Sequence, residues 1–248
     1  MSKFLLFAIP IMLIVGFVVL AIRVRLVFAQ RPHYAAYWSA GNNATHDPAA
    51  IHLVTLGDSI MQGIGASRPV KGLAGLAAEY ITRRTGRVVR LTNLSRTGAK
   101  VADVLADQLP LAPLADADIV LVCVSANDAI KRVPLPEYRA RLDTLLSRLP
   151  ADKTVIADVA LVKARGIYQP TMRELADSHG IARAPVASAF AGTGSPLRIV
   201  AGDFFHPNDR GYRIWFSAYA PQLDALLGFR GLVSAEQVDD ELYVTRGS

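Results

Sequence analysis

The hydrophobic pattern divides the chain into one long apolar run and a series of short ones. From Phe4 to Ile22 no side chain is charged, and nearly all are Leu, Ile, Val, Phe, Ala or Met. At about 1.5 Å per residue, a helix of that length nearly crosses a hydrocarbon core roughly 30 Å thick. Pro10 and Gly16 are compatible with this, because both residue types are commoner in membrane helices than in soluble ones. The pattern predicts a membrane anchor within residues 1–28. The competing reading is a signal sequence cleaved after Val27-Phe28-Ala29, but such signals carry apolar cores of only about 7–15 residues. Lys3 precedes the run, whereas Arg23, Arg25 and Arg31 follow it. The positive-inside tendency then leans toward a cytoplasmic domain, and a secreted or envelope-facing domain needs the opposite orientation. Tyr34, Tyr37 and Trp38 suit either the membrane interface or packing on the domain. Residues 29–50 read as a linker, since Gly41, Asn42, Asn43 and Pro48 punctuate its second half.

From Ile51 onward, short β-branched runs alternate with helical stretches. The predicted strands are Ile51–Leu56, Val88–Asn93, Ile119–Ser125, Thr154–Val159 and Ala182–Val186. Helices are predicted at Leu73–Thr85, Val101–Gln108, Pro136–Leu149, Gln169–His179 and Pro207–Leu227. Strands alternating with helices of this length imply right-handed crossovers and a parallel sheet covered on both faces. The fold class is therefore α/β: a three-layer α/β/α sandwich of flavodoxin-like type, spanning residues 51–228. A short tail, 229–248, is acidic in its middle.

Composition narrows the function classes. With 248 residues and 52% hydrophobic side chains, the chain fills one α/β core with a terminal appendage. The net charge of +6 is spread without a dense basic run, and Arg83, Arg84, Arg87 and Arg90 read as a solvated helix end, so no nucleic-acid partner is expected. The single cysteine, Cys123, lies inside an apolar strand and reads as a core residue, which excludes an intramolecular disulfide. His33, His46, His52 and His179 show no metal-ligand spacing.

Candidate chemistry gathers at the loops after strands. In a parallel sheet these loops emerge on one edge, so residues distant in sequence converge there. Ser59 follows the first strand at Gly57-Asp58-Ser59. A serine hydroxyl needs a base to take its proton, and His206 is the candidate because imidazole titrates near neutrality. Asp203, three residues earlier, can orient the ring, and Pro207 suits the first position of a following helix. An oxyanion formed on attack needs donors. The backbone N–H groups of Ser59 and Gly98 and the side-chain amide of Asn127 are the candidates.

Four blocks carry a resemblance: Gly57-Asp58-Ser59, Gly98, Asn127-Asp128 and Asp203-x-x-His206-Pro207. In order and spacing they resemble the SGNH (GDSL) hydrolase family over about residues 50–227. Two positions depart from the family pattern: Ile60 replaces the Leu that usually follows the serine, and Ser125 stands where the third block normally has Gly. The resemblance implies a serine esterase, lipase, thioesterase or carbohydrate O-deacetylase acting on an acyl ester, with neither metal nor organic cofactor. It also admits an O-acyltransferase that uses the same triad, and a membrane-tethered binding module with a disabled site is the alternative from another class. The elbow Gly-x-Ser-x-Gly is absent because Met61 occupies its last position, which argues against the α/β-hydrolase fold.

Overall fold

The computed structural model describes residues 3–44, 47–159, 166–191 and 193–229. The acidic tail read from the sequence lies, from residue 230 on, outside the described residues. Five parallel strands, β1 (Ile51–Gly57), β2 (Val89–Asn93), β3 (Ile119–Cys123), β4 (Thr154–Ala157) and β5 (Ala182–Ala184), form one sheet in the order β2-β1-β3-β4-β5. Every residue of β1, β3 and β4 is buried, as expected of strands covered on both faces.

Side-chain alternation divides the core in two. Leu53 and Leu121 point to one face, where they pack with helices α3 (Leu73–Thr85), α9 (Asp209–Ser217) and α10 (Ala220–Leu226). Val54 and Val122 point to the other, against α6 (Leu135–Leu146) and α7 (Tyr168–Ser178). Cys123 is buried and free, in keeping with its reading as a core residue. The three-layer α/β/α architecture is thus present. β1 lies so close to β3 that a Cβ on Gly57, at φ 151°, would come within 2.1 Å of the Cys123 carbonyl oxygen. Only glycine ends this strand without moving its neighbour.

Three expectations need correction. The helix predicted at Val101–Gln108 is one α turn, α4 (Val101–Asp103), running into a π turn at Val104–Gln108. This path leaves the Gln108 amide buried, where it accepts from Gly57 N–H and donates to Gly57 C=O, both at 2.8 Å. The last predicted helix is two helices, α9 and α10, because Pro221 at the start of α10 has no N–H to continue the preceding turns.

The third correction concerns the linker. Residues expected to form it continue the N-terminal helix instead, as one helix α1 (Lys3–Asn42). Val27, Tyr34 and Trp38, spaced seven and four residues apart on one face, are buried against the domain, whereas Tyr37 remains exposed. Tyr34 OH and Gln30 Nε2 donate to Ala66 C=O at 2.7 and 3.1 Å, and Trp38 Nε1 donates to Gln62 C=O at 2.9 Å. Asn42 exchanges two hydrogen bonds with the backbone of Asn93. Each buried aromatic contributes about 2–3 kcal/mol of apolar transfer, enough to outweigh the loop preference of Gly41, Asn42 and Asn43.

Candidate active site

Ser59 opens the short helix α2 (Ser59–Gln62) directly beyond β1. The Asp58 side chain caps this helix by accepting the Ile60 N–H at 2.9 Å, which fixes the turn that presents Ser59. On the opposite side of the site, Asp203 Oδ1 accepts the N–H groups of Phe205 and His206 at 3.1 and 3.0 Å, folding the chain back on itself. The same carboxylate then reaches the ring: Asp203 Oδ2 lies 2.5 Å from His206 Nδ1, and His206 Nε2 lies 2.9 Å from Ser59 Oγ. The two segments that meet here are 147 residues apart in sequence.

Pro207 precedes the helix rather than opening it. It forms an isolated antiparallel bridge with Val200, and Asn208 is the N-cap of α9, its side chain accepting Gly211 N–H at 3.0 Å. The His206 loop is therefore pinned by a strand-like contact on one side and a capped helix on the other. Gly65 completes the support. At φ 97° it passes so close that a Cβ would lie 2.4 Å from Pro207 C=O and 2.9 Å from His206 Cβ.

Electrostatics suit a neutral base beside an ionised orienter. Burial holds the His206 pKa below the usual imidazole range; the Asp203 carboxylate opposes this, and the charge of Arg31 adds to it. Asp203 is pushed up by burial, but its hydrogen bonds from the His206 ring and the two backbone N–H groups outweigh that, leaving it below the ordinary carboxylate range.

The predicted oxyanion donors are placed differently from one another. Ser59 N–H takes no protein acceptor among the described residues, and Asn127 lines the same cavity as Ser59. Asn127 belongs to α5 (Ala126–Ile130), and its amide donates to Ala99 C=O at 3.0 Å and to Asp58 Oδ2 at 3.2 Å. Gly98 is exposed at φ 83° in the loop after β2 and is not part of the cavity lining. That loop is tied to α2: Gln62 Oε1 accepts both the N–H and the hydroxyl of Thr97, and Asn93 Nδ2 donates to Met61 C=O at 3.2 Å. Ser125, at the family's glycine position, takes φ 97° and is fully buried, its Oγ receiving the Tyr138 hydroxyl at 2.9 Å.

Sequence reasoning missed several contributors. Asp58 was read only as part of a motif, yet it is buried, pushed up to about 7 by desolvation, and holds Asn127. Asp128 is likewise raised by burial, to about 6, and accepts Val101 N–H at 3.1 Å. The cavity beside Ser59 has a volume of about 340 Å³, and its walls are mainly apolar, including Val124, Val159, Phe190, Ile199 and Trp215. Asp158, also in the wall, accepts from Gln169, Arg173 and Ala187. Its position just past β4, at the carboxyl edge of the sheet, was the available signal.

Similar architecture occurs in several solved structures. TesA superposes with a TM-score of 0.59 at 20% identity, covering 71% of this chain and 99% of TesA. The psychrotrophic esterase EstA from Pseudoalteromonas sp. gives 0.58 at 15% identity, over 72% of this chain and 99% of EstA. Axe2, an acetylxylan esterase from Geobacillus stearothermophilus, gives 0.54 at 17% identity, over 74% and 98%. At such identities the likeness is one of fold. No curated protein matches the chain by sequence. The model of the GDSL-like lipase/acylhydrolase family, however, matches residues 55–214, from within β1 to within α9, and the chain therefore belongs to this family of ester hydrolases.

Proposed function

We propose that Ser59 is the nucleophile of a membrane-anchored serine hydrolase acting on carboxylic esters, with His206 as base and Asp203 as its orienter. The observation that carries this reading is the 2.9 Å contact between Ser59 Oγ and His206 Nε2. Ser59 Oγ attacks the acyl carbon while its proton passes to Nε2, and the imidazolium formed is stabilised by Asp203 at Nδ1. The oxyanion is met by Ser59 N–H and the Asn127 amide. Collapse breaks the ester C–O bond and returns the proton from Nε2 to the departing alkoxide. Water then attacks the acyl-enzyme, giving its proton to His206, and the carboxylic acid leaves as Ser59 is regenerated.

Anchoring through residues 4–22 is supported by the mean hydropathy of 2.5 in the most apolar window of α1. The helix passes unbroken through Val27-Phe28-Ala29, and Val27 and Gln30 on either side of the alternative cleavage point are engaged with the domain. The arginines at positions 23, 25 and 31 favour the cytoplasmic side for that domain.

The test is covalent labelling of the full-length protein by a fluorophosphonate, together with turnover of p-nitrophenyl esters. EstA is described as inhibited by monoethylphosphonate, which is also a phosphonate. Ser59→Ala should lose both labelling and turnover while retaining its melting temperature. Labelling that survives in Ser59→Ala would place the nucleophile elsewhere.

A further inference from the structure

The apolar span and the loop bearing His206 meet at one point of the fold. Val27 and Tyr34 of α1 pack with Ile64 and Ala201, and a Cβ on Gly202 would lie 2.9 Å from Arg23 Cβ. Arg23 is the first charged residue after the run Phe4–Ile22. Followed away from the span, α1 touches Gly202 and Ala201, then Gly65 and Ala66, then Gln62, and last Asn93. At 1.5 Å per residue, Asn42 lies roughly 28 Å along the helix from Arg23. The loop of Asp203 and His206 is therefore the part of the domain nearest the membrane end of the helix.

That loop and the turn Pro196–Arg198 before it expose large apolar side chains. Leu197, Phe204 and Phe205 are 68%, 54% and 47% exposed, and both phenylalanines line the cavity beside Ser59. Single exposed apolar residues are ordinary, but Phe204 and Phe205 are exposed and line the same cavity, and Leu197 is two residues from Ile199, which also lines it. Phe204 is also held at φ 55°, a conformation costly for a bulky side chain that persists only where the surroundings impose it. Leu26 on α1 is 63% exposed at the same level. Arg23, which packs on Gly202, and Arg198, next to Leu197, are exposed, and guanidinium groups there suit lipid phosphates.

We propose that the mouth of the Ser59 cavity faces the surface of the membrane that α1 spans, and that the substrate is an amphiphilic acyl ester resident in that membrane. Its acyl chain passes from the lipid, past Phe204 and Phe205, into the apolar cavity, with Leu197 resting in the same surface. Because α1 is one helix from span to docking face, the domain is held in a fixed pose rather than on a tether. The inference rests on the anchoring read above.

The experiment uses the full-length chain in vesicles of phosphatidylcholine and phosphatidylglycerol. An environment-sensitive NBD label on Leu197→Cys should emit blue-shifted and be quenched by lipids carrying a doxyl group near the headgroup; the native Cys123 is buried and escapes labelling. The same label on Val88→Cys, 64% exposed at the amino edge of the sheet, should report water. In parallel, a flexible Gly-Ser insert between Ile22 and Arg23 keeps the anchor and the docked helix but frees the domain. It should lower hydrolysis of a long-chain umbelliferyl ester dissolved in the vesicles by about tenfold or more, while leaving p-nitrophenyl acetate hydrolysis unchanged. Flotation of the vesicles after a carbonate wash separates the outcomes. Protein that leaves the vesicles overturns the anchor and this inference together. Protein that floats, but whose Leu197 label behaves like the Val88 label or whose insert variant hydrolyses the vesicle-bound ester normally, overturns this inference and leaves the anchor standing.

Discussion

The amide nitrogen of Asn127 stands 3.2 Å from Asp58 Oδ2, and its second proton goes to the Ala99 carbonyl at 3.0 Å. Both donors are therefore in use before substrate arrives, and the longer bond, to Asp58, is the one an oxyanion at Ser59 would draw away. Desolvation pushes Asp58 up to about 7, so near neutrality its hold on that proton is weak. Asn127→Ala should lower kcat by about 10²–10³, the typical effect of losing one oxyanion donor, with KM much less changed. It should also cost about 1–3 kcal/mol of stability, because the buried Asp58 carboxyl loses the Asn127 amide and keeps backbone N–H donors such as that of Ile60. Measuring kcat per titrated active site beside the melting temperature checks both, and a folded variant with normal kcat removes Asn127 from the mechanism.

The pH profile should report His206. Only the neutral ring can accept the Ser59 proton, so kcat/KM should be constant above the pKa of that group and fall on acidification. Burial lowers that pKa, so the inflection is expected below the ordinary imidazole value of about 6.5. Asp203→Asn removes the charge that opposes burial and should move the inflection further down. It should also reduce the rate toward the roughly 10⁴-fold loss that follows when the carboxylate of such a triad becomes an amide. An inflection that rises in Asp203→Asn would show that the fall in rate belongs to another group.

Ser125 and Tyr138 make a separate stability prediction. A serine at φ 97° carries about 1–2 kcal/mol of backbone strain that glycine would relieve. The same substitution removes the acceptor of the Tyr138 hydroxyl, which is fully buried, and an unsatisfied buried hydroxyl costs about 1–3 kcal/mol. Ser125→Gly alone should thus stay within about 1 kcal/mol of the parent. Adding Tyr138→Phe removes the orphaned hydroxyl and should make the double variant more stable than Ser125→Gly, whereas Tyr138→Phe in the parent should be destabilising. Urea unfolding of all four proteins completes the cycle. If the two substitutions were simply additive, the hydrogen bond would not be what keeps serine at this position.

The sheet was legible because strands such as Ile51–Gly57 and Ile119–Cys123 carry large apolar residues on both faces, a pattern that a doubly covered strand explains. Ser59, Asp203 and His206 were legible because each lies where the topology delivers it to the carboxyl edge. The docked half of α1 was obscured by composition. Gly41, Asn42 and Asn43 signal a loop locally, while Val27, Tyr34 and Trp38 signal an amphipathic face only when counted together at spacings of seven and four. Contacts between distant side chains left no local trace at all. Nothing around Asp58 announces Asn127, and nothing around Gln108 announces the end of β1.

Gly65 joins the docked helix to the chemistry, and two substitutions separate its roles. Its N–H donates to Gln30 Oε1 at 2.8 Å, while its missing Cβ leaves room for Pro207 and His206. Gly65→Ala places a methyl group 2.4 Å from Pro207 C=O and 2.9 Å from His206 Cβ, so the His206 loop must move. A displacement of about 1 Å at the base is enough for a loss near 10²-fold in kcat, and the alanine at φ 97° adds roughly 1–3 kcal/mol of strain. Gln30→Ala instead removes the bonds to Gly65 and Ala66 without adding bulk near the ring. It should lower the melting temperature while leaving kcat per titrated site within about twofold, since exposed or half-buried hydrogen bonds are worth only about 0.5–1.5 kcal/mol each. Active-site titration with a fluorophosphonate normalises both rates. Equal losses of kcat in the two variants would mean that the helix contact, rather than the clearance at Gly65, positions His206.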